Sequence, residues 1–327
     1  MNINDIAGLA GVSRSTVSRF LNGGYVSSEK AELIGKVIEE TGFVPSSRAQ
    51  TLRTGKTHLV GVIIPKISSE TISREVAGIS DELRQAGYSC LLANTDNDAE
   101  VELSYLRVLN EKRVDGIILI GTLMTSSHLN AIRNHSVPVV VLGQRSDTQS
   151  CVFFDDYGAM HAVATELLKG ASHPALIGVT EQDESVGLLR KQAFLDACEE
   201  AGIERDATTI VESGFDMLDG KEATMRLLDE HPRIDAIACA TDTIAVGCMK
   251  ALYDRGISVP DEIAVSGIGD SSLGEVMQPP LTTAHLHYDE SGSEAARLLV
   301  SMMRNGHGPR RELKMGYRLV VRESTRS

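Results

Sequence analysis

Two spacings of apolar residues divide the chain. Up to about residue 42 apolar side chains recur every three or four positions: Ile6, Leu9 and Ala10, then Val17, Phe20 and Leu21, then Leu33, Ile34, Val37 and Ile38. That is the period of a helix with one buried face, so it predicts three short helices over 4–10, 13–22 and 27–42 whose stripes bury one another. Ser13 and Ser27 stand where an N-cap oxygen is needed, and Gly42 is a suitable stop. The link AGVS is short and contains a glycine, as a helix-turn-helix requires. From His58 the pattern changes to short continuous apolar runs (HLVGVIIP, YSCLLAN, VDGIILIG, DAIACA, EIAVSGIG) alternating with amphipathic segments such as TISREVAGISDELRQAG and TDTIAVGCMKALYDRG. Such runs read as parallel strands buried on both faces and joined by helices. The body is therefore predicted to be doubly wound α/β, with length enough for two such units.

Charge separates the same two regions. Residues 1–56 carry seven Lys and Arg against five Asp and Glu, in a chain whose net charge is −13, so a polyanion is tolerated at the head and repelled by the body. With Val17, Phe20 and Leu21 turned inward, the second helix presents Arg14, Ser15, Ser18, Arg19 and Asn22. A recognition helix enters the major groove N-terminus first, which puts Arg14 and Ser15 nearest the base edges and leaves Thr16, Arg19 and Asn22 for phosphates. The alternative is a structural hairpin with a solvated polar face. After Pro45 comes a single short helical stretch, SSRAQTLR, and then Gly55. It is too short to hold a helix alone in water and is flanked by Arg48, Arg53 and Lys56, while Leu52 has no core to enter; an apolar wedge folding on DNA fits this, and a plain polar linker is the competing reading.

Other classes are disfavoured. The longest apolar runs are far shorter than the roughly 20 residues of a membrane span, and the N-terminus lacks the basic start and apolar core of a signal peptide, so a cytoplasmic protein without membrane contact is expected. Five cysteines (Cys90, Cys151, Cys198, Cys239, Cys248) show neither CxxC pairing nor Cys/His ligand spacing, which predicts buried, reduced thiols, no metal and no cofactor. GIGDSSLG lacks dinucleotide-loop spacing, and neither a nucleophile elbow nor a phosphate loop is seen, so no catalytic residues are expected. A sugar-binding module without DNA binding would account for the body but leave the head unexplained.

INDIAGLAGVSRSTVSRFLN followed by VSSEKAELIGKVIEETGFVPSSRAQTLRTGKTHLVGVIIP resembles the head and hinge of the lac repressor family of bacterial transcription regulators, and the likeness runs to VVRESTRS at the end. The resemblance implies a helix-turn-helix head (1–45), a hinge helix and linker (46–57) and a two-lobed, periplasmic-binding-protein-like body (58–327). Lobe 1 would span about 58–155 and 285–312, and lobe 2 about 156–284 and 313–327, with the chain crossing three times. It implies operator contacts by Arg14, Ser15, Thr16, Ser18 and Arg19, and a hinge helix containing Ala49 and the wedge Leu52. A homodimer on palindromic DNA is expected, since no heptad tail follows VVRESTRS.

Ligands of such bodies sit just past the strand ends. Those positions hold Lys66, Ser69, Gln144, Phe153, Arg190, Thr241, Asp242 and Asp270. By resemblance Arg190 matches the family's sugar-gripping arginine and Asp242 its acid in the A(N/T)D turn; Asp242 and Asp270 would equally serve as helix N-caps, and Arg190 as a solvated helix residue. The family's GYDD-type turn here reads GIGD, placing Gly269 where a carboxylate is common. Lys66 at the cleft edge suits an anionic ligand such as a sugar phosphate, or is a surface lysine. VIIPKISSETISREVAGI, LLANTDND and VVVLGQ most resemble sucrose-operon repressors, with trehalose-operon repressors next, which implies sucrose or its 6-phosphate as effector.

Overall fold

The computed structural model describes residues 1–43, 56–111, 114–306 and 308–326, so the expected hinge residues Ala49 and Leu52 lie outside the described residues. Two compact units emerge, Met1–His58 and Leu59–Ser327.

The head is three helices, α1 (Ile3–Leu9), α2 (Arg14–Leu21) and α3 (Ser28–Thr41), closed around Ile6, Ala7, Ala10, Val17, Ile34 and Phe43. The first starts one residue earlier than its apolar spacing suggests, because Asn2 caps it and Asp5 reciprocates by accepting from the Asn2 backbone N–H at 2.7 Å. Ser13 caps α2 by accepting from the Thr16 N–H, and Gly42 ends α3 at φ +61°. Three expectations are corrected. Leu9 and Leu33 are exposed, since three short helices bury a narrower stripe than their spacing offers, and Ser27 occupies the N-cap position without a side-chain cap bond.

The body opens with β1 (Leu59–Ile64), α4 (Glu70–Gln85), β2 (Ser89–Asn94), α5 (Ala99–Glu111), β3 (Gly116–Ile120), α6 (Ser126–Arg133), β4 (Val139–Leu142) and β5 (Ser150–Phe154). It continues with α7 (Asp156–Leu167), β6 (Pro174–Gly178), a π-helical turn (Glu184–Leu189) running into α8 (Arg190–Glu200), β7 (Thr209–Glu212), α9 (Met217–Glu230), β8 (Ala236–Cys239), α10 (Asp242–Asp254), β9 (Ala264–Ser266) and α11 (Ser272–Val276). The chain then adds β10 (Thr283–Leu286), α12 (Tyr288–Asn305), β11 (Glu312–Met315) and β12 (Tyr317–Val320). One parallel sheet runs β11-β5-β4-β3-β1-β2 and a second β7-β6-β8-β9, while β10 and β12 form an antiparallel pair. Each large sheet carries a separate apolar cluster on either face, as continuous buried runs require. Because β11 pairs with β5, residues 312–315 belong to the first sheet, which corrects the expectation that the second lobe resumes at 313. The crossings fall between β5 and α7, between β10 and α12, and at Gly316.

Helices α4 and α12 cross at two glycines. A Cβ on Gly78 would lie 1.9 Å from the Asp289 carbonyl oxygen, and one on Gly292 2.1 Å from that of Glu75. Backbone cannot yield as a side chain does, so Gly292→Ala should cost about 1–3 kcal/mol of body stability, read as a lower urea midpoint at unchanged slope. An unchanged midpoint would show that the helices separate freely.

All five cysteines are free; Cys90 is half-buried, the other four are buried, and burial pushes the Cys198 thiol up to about 11. Among the described residues no helix is long and apolar enough to cross a membrane, and no group of His, Cys, Asp or Glu is arranged to hold a metal ion.

Candidate functional sites

On α2, Arg14, Ser15 and Arg19 are exposed and Thr16 and Ser18 half-buried. Ser13 organises the start of the helix, its hydroxyl lying 2.7 Å from that of Ser15 and 2.8 Å from that of Thr16. Asn22 follows the helix as its C-cap and its amide donates to the Ser18 carbonyl, so this side chain closes α2 as well as facing outward. The stem of Arg19 lies against Gly24, where a Cβ would come within 2.7 Å of it.

In the body, a cavity of about 320 Å³ opens between the two sheets, at the carboxyl ends of their strands. It brings together Lys66, Ser69, Gln144, Arg190, Thr241 and Asp242 of the expected residues, and excludes Phe153 and Asp270. Side chains of β5 alternate faces, so Phe153 packs with Cys151 against the apolar cluster on the far side of the first sheet, and Phe154 lines the cavity with its ring edge-on to Tyr288 at 5.2 Å. Asp270 sits instead at the crossover pair. It bonds Arg322 at 2.7 Å and His285 at 2.9 Å, and although burial alone would raise its pKa, these two groups hold it below the usual carboxylate value. Nor does Asp270 cap α11, a role taken by Ser271.

Arg190 is buried rather than solvated. Its guanidinium grips Asp156 through Nε at 2.8 Å and Nη2 at 2.5 Å, and donates to the Ala240 carbonyl. Burial pushes the Asp156 carboxyl up while Arg190 holds it back. Asp242 is not a cap, since Thr241 caps α10; its carboxylate accepts from the Ser271 N–H and the Thr283 hydroxyl, both at 2.7 Å, tying three elements together beneath the cavity. Gly269, at φ +143°, turns backbone toward Asp242 where a second acid was expected to be missing.

Several contacts join the lobes across the cavity. Lys66 pairs with Asp216, whose hydrogen bond is the largest of the influences raising the lysine pKa. Gln144 donates to Asp183 at 2.8 Å and accepts from Ser185 at 3.0 Å, while the backbone N–H of Ser272 donates to Glu70 at 3.1 Å. Ser69 caps α4.

Sequence reasoning missed Glu75, Asp156, Asp183, Asp216 and Tyr288 in the wall. Two of these carried a signal: Asp156 adjoins Asp155 in FFDDYG, and Glu75 interrupts the apolar stripe of α4 at helical spacing from Ile72 and Ile79. The wall holds six carboxyl groups (Glu70, Glu75, Asp156, Asp183, Asp216, Asp242) against two cations, Lys66 and Arg190. Such a wall is rich in acceptors for hydroxyls and hostile to an anion.

A helix-turn-helix unit attached to a two-lobed, cleft-forming α/β body defines a ligand-responsive DNA-binding regulator. A family model described as bacterial regulatory proteins, lacI family, matches residues 2–46, and one described as periplasmic binding proteins and sugar binding domain of LacI family matches residues 57–320. The chain is 32% identical over 305 residues to the sucrose operon repressor of Staphylococcus xylosus, covering 93% of this chain and 94% of that one. It is 31% identical to the ribose operon repressor of Halalkalibacterium halodurans, over 99% and 97% of the two chains. A solved lac repressor dimer bound to operator and the anti-inducer ONPF superposes with a TM-score of 0.90 at 24% identity (100% of this chain, 99% of that one), and a complex of the regulator CelR with cellobiose with 0.75 at 27% (99% of each). The protein belongs to the lacI family of bacterial regulatory proteins: it is a DNA-binding transcriptional repressor with a sugar-binding effector domain, and not an enzyme.

Proposed function

We propose that this repressor binds a palindromic operator as a homodimer and is switched by a neutral disaccharide of the sucrose class in the cleft. The observation that carries the ligand reading is the acid-rich wall. Lys66, the one feature that favoured a sugar phosphate, is held by Asp216, and a phosphate would meet several carboxyl groups. Sucrose offers hydroxyls to those acceptors and an apolar ring face to Phe154 and Tyr288. The sucrose operon repressor among the relatives supports the same class. Because Lys66, Gln144 and Glu70 reach across the cleft, a ligand that prefers the closed arrangement shifts the lobe equilibrium, and only such differential affinity can act on DNA binding.

In this reading residues 1–45 recognise DNA, 46–57 form the hinge and 58–327 bind effector and dimerise. Arg14 and Ser15 read bases, Thr16, Ser18, Arg19 and Asn22 set register on phosphates, and Ala49 and Leu52 pair over the minor groove. Arg14→Ala should cost about 1–3 kcal/mol of operator affinity and relax base preference at one position per half-site, measured by gel shift on a palindrome series. Full affinity in that variant would remove Arg14 from base readout.

Thermal shift with sucrose and sucrose 6-phosphate tests the effector. The free sugar should raise the melting temperature more, and Lys66→Ala should weaken both ligands alike. A selective loss of the phosphorylated sugar would restore the phosphate reading.

A further inference from the structure

We infer that Glu75 is a specificity-determining residue of the cleft, offering its carboxyl as a hydrogen-bond donor to an oxygen of the ligand that can only accept, such as a ring or glycosidic oxygen. The inference deepens the proposal above and rests on the cleft binding a neutral sugar.

The other buried acids of the wall are engaged with donors: Asp156 with Arg190, Asp183 with Gln144 and the Val186 N–H, Asp242 with Ser271 and Thr283. Each accepts from those donors, which favour its carboxylate form against the burial that raises its pKa. Glu75 differs. It lies in the same wall at 2% exposure, and its Oε2 is buried without a hydrogen-bond partner. An ionised carboxylate cannot be held so without a cation or several donors, so the stable form here is the acid, which carries a proton to give.

The charged and titratable groups around it agree. Helix α12, packed on α4 through Gly78 and Gly292, brings Tyr288 and Asp289, neither of them cationic. Arg74, next along α4, is committed to Asp289 at 3.2 Å and lies over the Tyr288 ring. Among the other wall residues, Arg190 is neutralised by Asp156, and Asp242 is a further acid. Burial pushes the Glu75 carboxyl up to about 8. A ligand oxygen that accepts from the acid is therefore recognised below that pH and loses its partner above it. A sugar with its ring oxygen replaced by a methylene would lose the same partner.

The test is calorimetric titration of the full chain with sucrose at pH 6.5, 7.5 and 9. Wild type should lose affinity about tenfold between the ends of that range, following the fraction of protonated carboxyl. Glu75→Gln keeps a neutral donor of the same shape and should bind comparably with a flat profile. Glu75→Leu should bind at least about tenfold more weakly at pH 6.5, since an acceptor is left without a donor. Sucrose binding by wild type with no pH dependence, or undiminished binding by Glu75→Leu, overturns the role of Glu75 alone. Absence of sucrose binding in all three proteins at every pH overturns the sugar reading, and this inference with it. Should Glu75→Leu fail to fold, the near-isosteric Glu75→Gln still decides the matter through its pH profile.

Discussion

Asp156→Ala is expected to destabilise the body by about 3–5 kcal/mol and to abolish sugar binding, as measured by urea unfolding and titration calorimetry. The aspartate lies in the first turn of α7 at 2% exposure and holds Arg190, at 3%, through two hydrogen bonds. With the carboxylate gone, the guanidinium keeps only the Ala240 carbonyl as its protein partner in this pair of contacts, and a buried charge without its counter-ion costs several kcal/mol. For a domain with roughly 5–15 kcal/mol in total, such a loss is a large fraction. Replacing both partners by apolar residues of similar volume, Asp156→Leu with Arg190→Met, should recover much of the stability because no unpaired charge remains. Binding should stay lost in the double variant. A double variant no more stable than Asp156→Ala would mean that the pair contributes through packing rather than charge.

That pair also shows what was legible in the sequence. The strand-end rule pointed to Arg190 because ligands collect where parallel strands stop, and the cavity does form there. Its partner, Asp156, is not among the positions that the strand-end rule picks out. FFDDYG presents two phenylalanines and two aspartates in succession, and where a strand is buried on both faces the hydrophobic pattern cannot set which of two neighbours faces inward. Phe154 and Asp156 line the cavity; Phe153 packs behind the sheet, and Asp155 caps α7 through the Gly158 N–H while pairing with Lys314 at 2.8 Å. In the head, helical stripes have one buried side and are legible; their width is overstated at Leu9 and Leu33, and Ser27 fills the cap position without a side-chain bond. Asp270 went wrong for a different reason: its charge is spent on Arg322 and His285, residues remote in sequence that β10 and the chain end bring to it. Cross-lobe partners such as Asp216 and Asp183 arise from tertiary closure and leave no local pattern.

Stability of the body should fall as pH rises from 5 to 9, and Glu75→Gln should remove most of the fall. In the folded state burial raises Glu75 to about 8 from the 4.5 of an unperturbed glutamate. Between those values the native protein retains a proton that the unfolded chain has released, so unfolding becomes easier by about 1.4 kcal/mol for each pH unit in the window. The sign is opposite to that of a carboxylate paired with a cation, whose contribution is lost on acidification. Between pH 5 and 9 the effect is on the order of 4 kcal/mol; the contribution is full only below the unfolded value of 4.5 and is gone by pH 9. Glu102 adds a smaller component of the same sign, since burial raises it to about 7. It faces His128 at 3.2 Å across α5 and α6, and burial lowers the His128 pKa, which favours stability as pH climbs through the ordinary histidine range and partly offsets Glu102 there. Urea midpoints at pH 5, 7 and 9 for wild type, Glu75→Gln and Glu102→Gln separate the two. Wild type and Glu75→Gln should coincide at pH 5 and diverge by pH 9, with the glutamine variant the more stable; parallel curves would mean that Glu75 is ionised in the folded protein at neutral pH and that its surroundings supply the donors to hold it so.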